Sequence, residues 1–211
     1  MLLEQPTSIL SKIYPKGIFR KNPEEHSVYI TFDDGPIPEV TPWLLDILDQ
    51  YGIKATFFVV GDNVRKHPDI FKMVVERGHH IGNHTFNHVR GMRMRNHDYI
   101  DNVKKCEGLI STRLFRPPHG VLRPWTYHYM EGSYDIIFYD VITRDYNEKL
   151  KPEKVLEIVK KYRPNYAICA DGEYFFNQTG KTSIECDGIT IYSGSDGMER
   201  ICNDNTDVVL N

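Results

Sequence analysis

The chain has 211 residues, of which 40% are hydrophobic, enough to build one domain around a sizeable core rather than a disordered segment. Its formal net charge of −3 argues against the strongly basic surface of a nucleic-acid-binding protein. No apolar run reaches the length of a transmembrane helix, and no signal peptide is visible, so localisation and oligomeric state stay open.

The first half of the chain alternates predicted strands and helices. Residues Val28–Phe32, rich in β-branched and aromatic side chains, predict a buried strand. Thr41 followed by Pro42 predicts a helix start with Thr41 as the N-cap, and Gly52 predicts the end of that helix. An apolar strand, ATFFVVG, and a helix beginning at Pro68 follow.

The alternation continues after the short predicted strand HIGNH. The pattern predicts a helix over Asn96–Ser111, a strand in LFRPPHG, a short helix near Arg123–Glu131, one strand in YDIIFYDV, a helix from Pro152 and a strand in NYAICAD. Such alternation is typical of parallel strands wrapped by helices, as a barrel or an open sheet. From Gly172 onward the sequence predicts only short strands and turns.

Side chains capable of chemistry follow the ends of these predicted strands. Asp33 and Asp34 end the first strand, His84 and His88 follow HIGN, and Arg116 follows LF. The carboxyl ends of parallel strands meet on one face of the fold, so we expect these side chains to lie close together.

The histidine pair predicts a metal site. His84 and His88 have H-x-x-x-H spacing, which on a helical turn places both imidazoles on one face. Two histidines and one carboxylate form a common catalytic metal set. One aspartate would then be the third ligand, and the other would take the proton from water whose pKa the metal lowers to about 7. The metal set alone also permits an iron oxygenase, which the paired aspartates and the βα pattern do not favour.

Three segments, TFDDGP, HHIGNHTFNH and FRPPHG, resemble in order and spacing the motifs of the NodB-homology polysaccharide deacetylases, or carbohydrate esterase family four. The resemblance covers roughly Ser27–Pro164. It implies an α/β fold, namely an irregular (β/α) barrel with about seven parallel strands. It also implies a hydrolase that removes acetyl groups, with N-acetyl groups as the first candidate. The expected partner is the acetylated substrate, a carbohydrate polymer or oligomer.

The resemblance further implies roles for individual residues. Asp33 resembles the catalytic base, and Arg116 resembles the residue that holds it. Asp34, His84 and His88 resemble the ligands of one divalent metal, Zn²⁺ in the first place, with Co²⁺, Ni²⁺ or Mn²⁺ as alternatives.

A second set of residues is implied around the substrate. Asp145 matches the aspartate of a further motif as a catalytic residue, and Tyr146 stands where many members have Trp. A backbone N–H near Pro118 or His119 would hold the oxyanion. Trp125 follows the FRPPHG loop and is a candidate for the wall of the cleft.

One motif of the family has no counterpart. The family carries a Leu-x-His motif on a late strand as general acid, whereas this chain has no histidine after His128. NYAICAD offers Asp171 instead, which needs burial to raise its pKa before it can donate a proton. The alternative hypothesis is therefore a glycan-binding barrel with weakened or absent catalysis. We expect an N-terminal extension over 1–26, the barrel over 27–171 and an atypical segment over 172–211.

Overall fold

The computed structural model describes residues 4–20, 29–147 and 149–162, and four short strands at 168–170, 182–186, 189–193 and 202–203. The helices are α1 (Ser8–Ile13), α2 (Thr41–Gln50), α3 (Gly61–Lys66), α4 (Pro68–Glu76), α5 (Asn96–Glu107), α6 (Pro124–Met130) and α7 (Pro152–Tyr162). The strands are β1 (Ile30–Asp34), β2 (Thr56–Val59), β3 (His80–Asn83), β4 (Leu114–Phe115), β5 (Asp135–Ile136), β6 (Val141–Ile142), β7 (Ile168–Ala170), β8 (Thr182–Cys186), β9 (Ile189–Ser193) and β10 (Cys202–Asn203).

The main sheet has seven strands in the order β5-β4-β3-β2-β1-β7-β6, and every neighbouring pair is parallel. The predicted α/β fold with about seven parallel strands is therefore confirmed. Strand alternation separates two faces: Phe32 and Phe57 join the cluster that packs under the helices, whereas Thr31 and Asp33 contact the site residue Arg116. The catalytic candidates thus lie on the face opposite this helix-covered cluster.

Several element boundaries differ from the sequence-based expectation. Thr41 is the first residue of α2 rather than its N-cap, and its hydroxyl accepts a hydrogen bond from the Ile37 N–H. Helix α5 ends at Glu107 instead of Ser111, because Thr112 already donates to the Ile81 carbonyl on the way into β4. Helices α1 and α3 are short and were not predicted.

The prediction of one strand in YDIIFYDV is wrong. The segment forms β5 and β6, which lie at opposite edges of the seven-stranded sheet. Between them, Phe138 leaves the sheet ladder: its N–H donates to the Ile18 carbonyl and its own carbonyl accepts from Arg116. The chain therefore crosses the open side of the sheet between these two strands.

The N-terminal segment 4–20 contacts both edges of this sheet. Ile18 forms a parallel bridge beside β5, and the Glu4 carbonyl accepts a hydrogen bond from the Ile142 N–H of β6. Between these points Asp140, only 1% exposed, accepts a 2.6 Å hydrogen bond from Nε of Arg20. In the described part of the chain, this segment occupies the side on which β5 and β6 do not pair directly.

Strands β8, β9 and β10 form a separate antiparallel sheet. Asp171 and the domain boundaries expected at 26 and 171 lie outside the described residues. None of the helices in the described ranges has the length and apolarity that a membrane crossing requires.

Candidate metal centre and active site

Asp33 and Asp34 are consecutive, yet both line one cavity at the carboxyl end of β1. Strand alternation alone would send them to opposite faces. The backbone of Asp34 departs from the strand conformation, so its side chain faces the same cavity as that of Asp33. Its φ is 75°, a value that aspartate adopts more readily than most residues. Its carbonyl accepts a 2.8 Å hydrogen bond from Nδ2 of Asn63, which holds the strained peptide in place.

Asp33 forms a buried ion pair with Arg116. The distance from Nη1 to Oδ1 is 2.7 Å, and the two side chains are 3% and 5% exposed. The same Nη1 also lies 2.7 Å from the Thr31 hydroxyl, and the guanidinium packs 4.1 Å from the Phe58 ring centre. A charge-assisted hydrogen bond between two largely buried side chains fixes the Asp33 carboxylate and stabilises its negative charge.

Asp34, His84 and His88 converge with the geometry of metal ligands. Oδ1 of Asp34 lies 3.6 Å from Nε2 of His84 and 3.2 Å from Nε2 of His88. One donor atom from each residue lies within 4.8 Å of the other two. This spacing suits a single ion bound by two imidazoles and one carboxylate.

The surroundings of these three side chains fit a metal ion. Nδ1 of His84 lies 2.8 Å from the Arg116 carbonyl, which can only accept, so this nitrogen carries the proton and Nε2 is the atom available to bind a metal. Oδ1 of Asp34 is buried without a hydrogen-bond partner. Burial lowers the pKa of His88, against the opposing effect of the Asp34 charge, and so favours the neutral, ligating imidazole.

The histidine pair lies on a loop, so the expectation of a helical turn is wrong. Thr85 and His88 have φ values of 66° and 51°, and no helix spans the interval. Two asparagines hold this loop: Asn83 Oδ1 accepts from the Thr85 N–H, and Asn102 Oδ1 accepts from the Phe86 N–H. The close approach of the imidazoles therefore depends on side-chain hydrogen bonds instead of helical periodicity.

The base candidate and the ligand candidates share an open cavity of about 200 Å³. Its polar end contains Asp33, Asp34, His84, His88 and Arg116, and its other walls are formed by Pro117, His119, Gly120, Phe138, Tyr139, Ile142 and Tyr146. Apolar walls with a few converging polar groups are typical of a binding pocket for a small molecule or part of one.

The predicted substrate contacts lie at different distances from this cavity. His119 and Tyr146 line it, whereas Pro118 is buried and, as a proline, has no backbone N–H to offer. Asp145 is buried and does not line the cavity, and its Oδ1 accepts from the Thr143 hydroxyl. Trp125 is 53% exposed on α6 and stacks on Tyr129 with ring centres 5.5 Å apart, outside the cavity lining.

His119 lies beside the two candidate metal-binding histidines. Its ring lies 4.8 Å from that of His88, and its Nε2 accepts a 3.2 Å hydrogen bond from Nε of Arg90. Burial first, and then the charges of His88 and Arg90, lower the pKa of His119 to about 4. Its backbone has φ 61°, so the turn after β4 is strained at the cavity wall.

Four supporting residues were not predicted: Thr31, Asn63, Asn83 and Asn102. Alternation could have identified Thr31, because it shares a strand face with Asp33. Asn63 and Asn102 bind residues that are 29 and 16 positions away in the sequence, and Asn83 binds the Thr85 N–H in a strained turn. No periodic pattern in the sequence marks contacts of these kinds.

A parallel α/β sheet with a buried Asp–Arg pair beside a two-His, one-Asp cluster is typical of metal-assisted hydrolases. The sequence profile described as polysaccharide deacetylase matches residues 20–131, and the chain belongs to this family. Family membership and the observed fold agree with the resemblance carried by TFDDGP, HHIGNHTFNH and FRPPHG.

The chain is similar to named members of this family. A peptidoglycan-N-acetylglucosamine deacetylase of Bacillus cereus is 36% identical over 126 residues, covering 56% of this chain and 46% of that protein. The solved Bc1960 peptidoglycan N-acetylglucosamine deacetylase is 30% identical with a TM-score of 0.72, over 79% of this chain and 80% of the other. The structure of BA3943 of Bacillus anthracis, a pseudoenzyme of carbohydrate esterase family four, is 26% identical with a TM-score of 0.68, over 79% and 62%. The chain spans about half the length of the curated relatives that it matches.

Proposed function

We propose that the chain uses a divalent metal to hydrolyse acetyl groups on a carbohydrate polymer or oligomer. N-acetyl groups are the first candidate for the group that is removed. The observation that carries the proposal is the meeting of two half-sites in one cavity: the Asp33–Arg116 pair, and the converging donors of Asp34, His84 and His88. The names of the similar B. cereus proteins support acetylated glycan as the substrate class.

The residues divide the chemistry between them. Asp34, His84 and His88 would hold the ion, Zn²⁺ in the first place, which when bound supplies Lewis-acid activation of water near neutral pH. Asp33 accepts the proton on its carboxylate, and Arg116 keeps that carboxylate ionised and aimed at the cavity. Asp33 and Asp34 thus serve two different steps.

The cavity wall positions the acetyl group. Of the two residues considered for the oxyanion, only His119 has a backbone N–H, so the proposal rests on His119. Tyr146 and the apolar wall enclose the methyl group of the acetyl. Asp145, which does not line the cavity, stays a predicted catalytic residue. Trp125 remains a predicted substrate contact. Because it lies outside the cavity lining, it would contact a sugar beyond the cavity.

The alternative, a glycan-binding barrel with weakened catalysis, arose from the missing late histidine. Its substitute candidate, Asp171, lies outside the described residues. The hydrolase is favoured because the base, its arginine partner and all three ligand candidates are present and brought together. Loss of general acid catalysis would slow the reaction by about 10²–10⁴-fold.

Acetate release from N-acetylglucosamine oligomers, with Zn²⁺ added to the full chain, tests the proposal. We expect Asp33→Asn to lower kcat by about 10²–10⁴-fold without loss of bound metal, and a chelator to stop release reversibly. Asp69→Asn, an exposed acid on α4, is the matched control and should change neither. Release that is unaffected by Asp33→Asn and by chelation would refute the assignment, and wild-type protein that binds oligomers without turnover would establish the alternative.

A further inference from the structure

Most of the arginine side chains in the described ranges are paired with acids. Seven of those described have a carboxylate within ion-pair distance, namely Arg20, Arg65, Arg77, Arg95, Arg113, Arg116 and Arg144. Within the described ranges, the three without a carboxylate partner are Arg90, Arg93 and Arg123. A chain with net charge −3 has acids in surplus, so a shortage of partners does not explain these three.

These three arginines lie on one surface beside the cavity. Nε of Arg90 donates to Nε2 of His119, which lines the cavity wall. The Arg93 N–H donates to the Arg90 carbonyl in a short 3₁₀ turn, and Nη2 of Arg123 donates to the Met92 carbonyl of the same turn. The positive charges of Arg90 and Arg93 also contribute to lowering the pKa of His119.

Like charges that lack a carboxylate partner in the described ranges repel one another, and an anionic ligand beside the cavity would relieve this repulsion. Arg90 and Arg93 are exposed and Arg123 is partly exposed, so all three are accessible from solvent. Planar guanidinium groups bind carboxylates and phosphates through paired hydrogen bonds, which a neutral sugar cannot provide. The surface is continuous with the cavity through His119, so its ligand and the acetylated sugar would belong to one molecule.

We propose that Arg90, Arg93 and Arg123 form a subsite for a carboxylate carried by the glycan next to the acetylated sugar. The proposal rests on the proposed function and narrows it: the substrate is an acidic acetylated glycan, bound in preference to a neutral one. The subsite acts on binding, while Asp33 and the ligand residues act on the bond that breaks.

Direct binding tests this subsite separately from catalysis. Calorimetry with the full chain carrying Asp33→Asn, which keeps the probes intact, would use four tetrasaccharides. These are a neutral N-acetylglucosamine tetramer, an alternating tetramer with N-acetylmuramic acid carboxylates, the same alternating tetramer with its carboxylates as methyl amides, and an N-acetylglucosamine tetramer bearing a phosphate monoester. The test variant is Arg93→Gln with Arg123→Gln. The control is Arg113→Gln, which removes the same charge just before β4, at the end of the strand away from the His119 turn.

Two exposed guanidinium–carboxylate contacts should tighten binding of the carboxylate tetramer over its amide by about threefold to tenfold. That ratio should fall to about one in the double variant, stay unchanged in the Arg113 control, and shrink at high salt. An equal loss for all probes, or no loss, overturns the subsite, and a loss confined to the phosphate tetramer overturns the carboxylate assignment. Because the readout is a ratio of dissociation constants, absence of acetate release by wild-type protein would refute the proposed function without deciding this result.

Discussion

Replacing Asp34 by Asn should separate metal binding from folding. Asparagine tolerates the φ of 75° at this position as well as aspartate does, so the backbone keeps its conformation. The change removes the negative charge of the oxygen that lies 3.2 Å and 3.6 Å from the two imidazole nitrogens. We therefore expect a folded protein that has lost most of its affinity for zinc.

The expected size follows from linkage. A ligand present at 100 times its dissociation constant stabilises the folded state by about 2.7 kcal/mol. For a chain of this length, 1 kcal/mol corresponds to a shift of about 2–4 °C in Tm, so zinc should raise the wild-type Tm by about 5–11 °C. Without metal, the variant should melt at least as high as the wild type, because Oδ1 of Asp34 is buried without a hydrogen-bond partner.

Thermal unfolding with zinc or chelator measures both effects. Asp69→Asn removes the same charge from an exposed helix position and should keep the full zinc-induced shift. A variant at Asp34 that gains as much Tm from zinc as the wild type would refute the ligand assignment. A variant that has already lost several degrees in chelator would show instead that Asp34 is needed for the fold.

Three further outcomes are expected. Asn102→Ala removes the side-chain oxygen that accepts from the Phe86 and Asn87 N–H groups in the His88 loop, so the free energy of unfolding should fall by about 0.5–1.5 kcal/mol and zinc should bind about tenfold more weakly in a chelator competition. Arg20→Gln leaves buried Asp140 without its guanidinium and should cost about 1–3 kcal/mol in urea unfolding, which Asp140→Asn in the same chain should largely restore. Burial lowers the pKa of His79 from 6.5 to about 4, so the unfolded state binds one more proton than the folded state between these pH values. The free energy of unfolding should therefore fall as the pH drops from 6.5 towards 4. His79→Asn should flatten this part of the profile of Tm against pH, and an unchanged profile would show that His79 does not cause the loss of stability.

Sequence reasoning reached the parts of this molecule that local patterns encode. Apolar runs and Pro or Gly punctuation located most strands and helices, and short motifs selected Asp33, Asp34, His84 and His88 as candidates, which the structure places around one cavity. It failed where a distant segment decides the outcome. YDIIFYDV reads locally as one strand, but its middle is bound by the N-terminal residue Ile18 and by Arg116. The loop conformation of the histidine pair likewise depends on Asn102, a residue of a later helix.

Arg116 explains why the two half-sites cannot be positioned independently. Its guanidinium holds Asp33, and its backbone carbonyl orients His84. A third contact, from Nη2 of Arg116 to the Phe138 carbonyl, joins Arg116 to a residue whose own N–H donates to the Ile18 carbonyl in the N-terminal segment. The proposed base and one proposed metal ligand therefore both depend on the position of Arg116, directly after the two-residue strand β4, and the N-terminal segment supports that residue from the open side of the sheet. Loosening the Arg20–Asp140 pair should consequently disturb the base and the ligand together, so that any loss of zinc affinity in Arg20→Gln is accompanied by a loss of turnover.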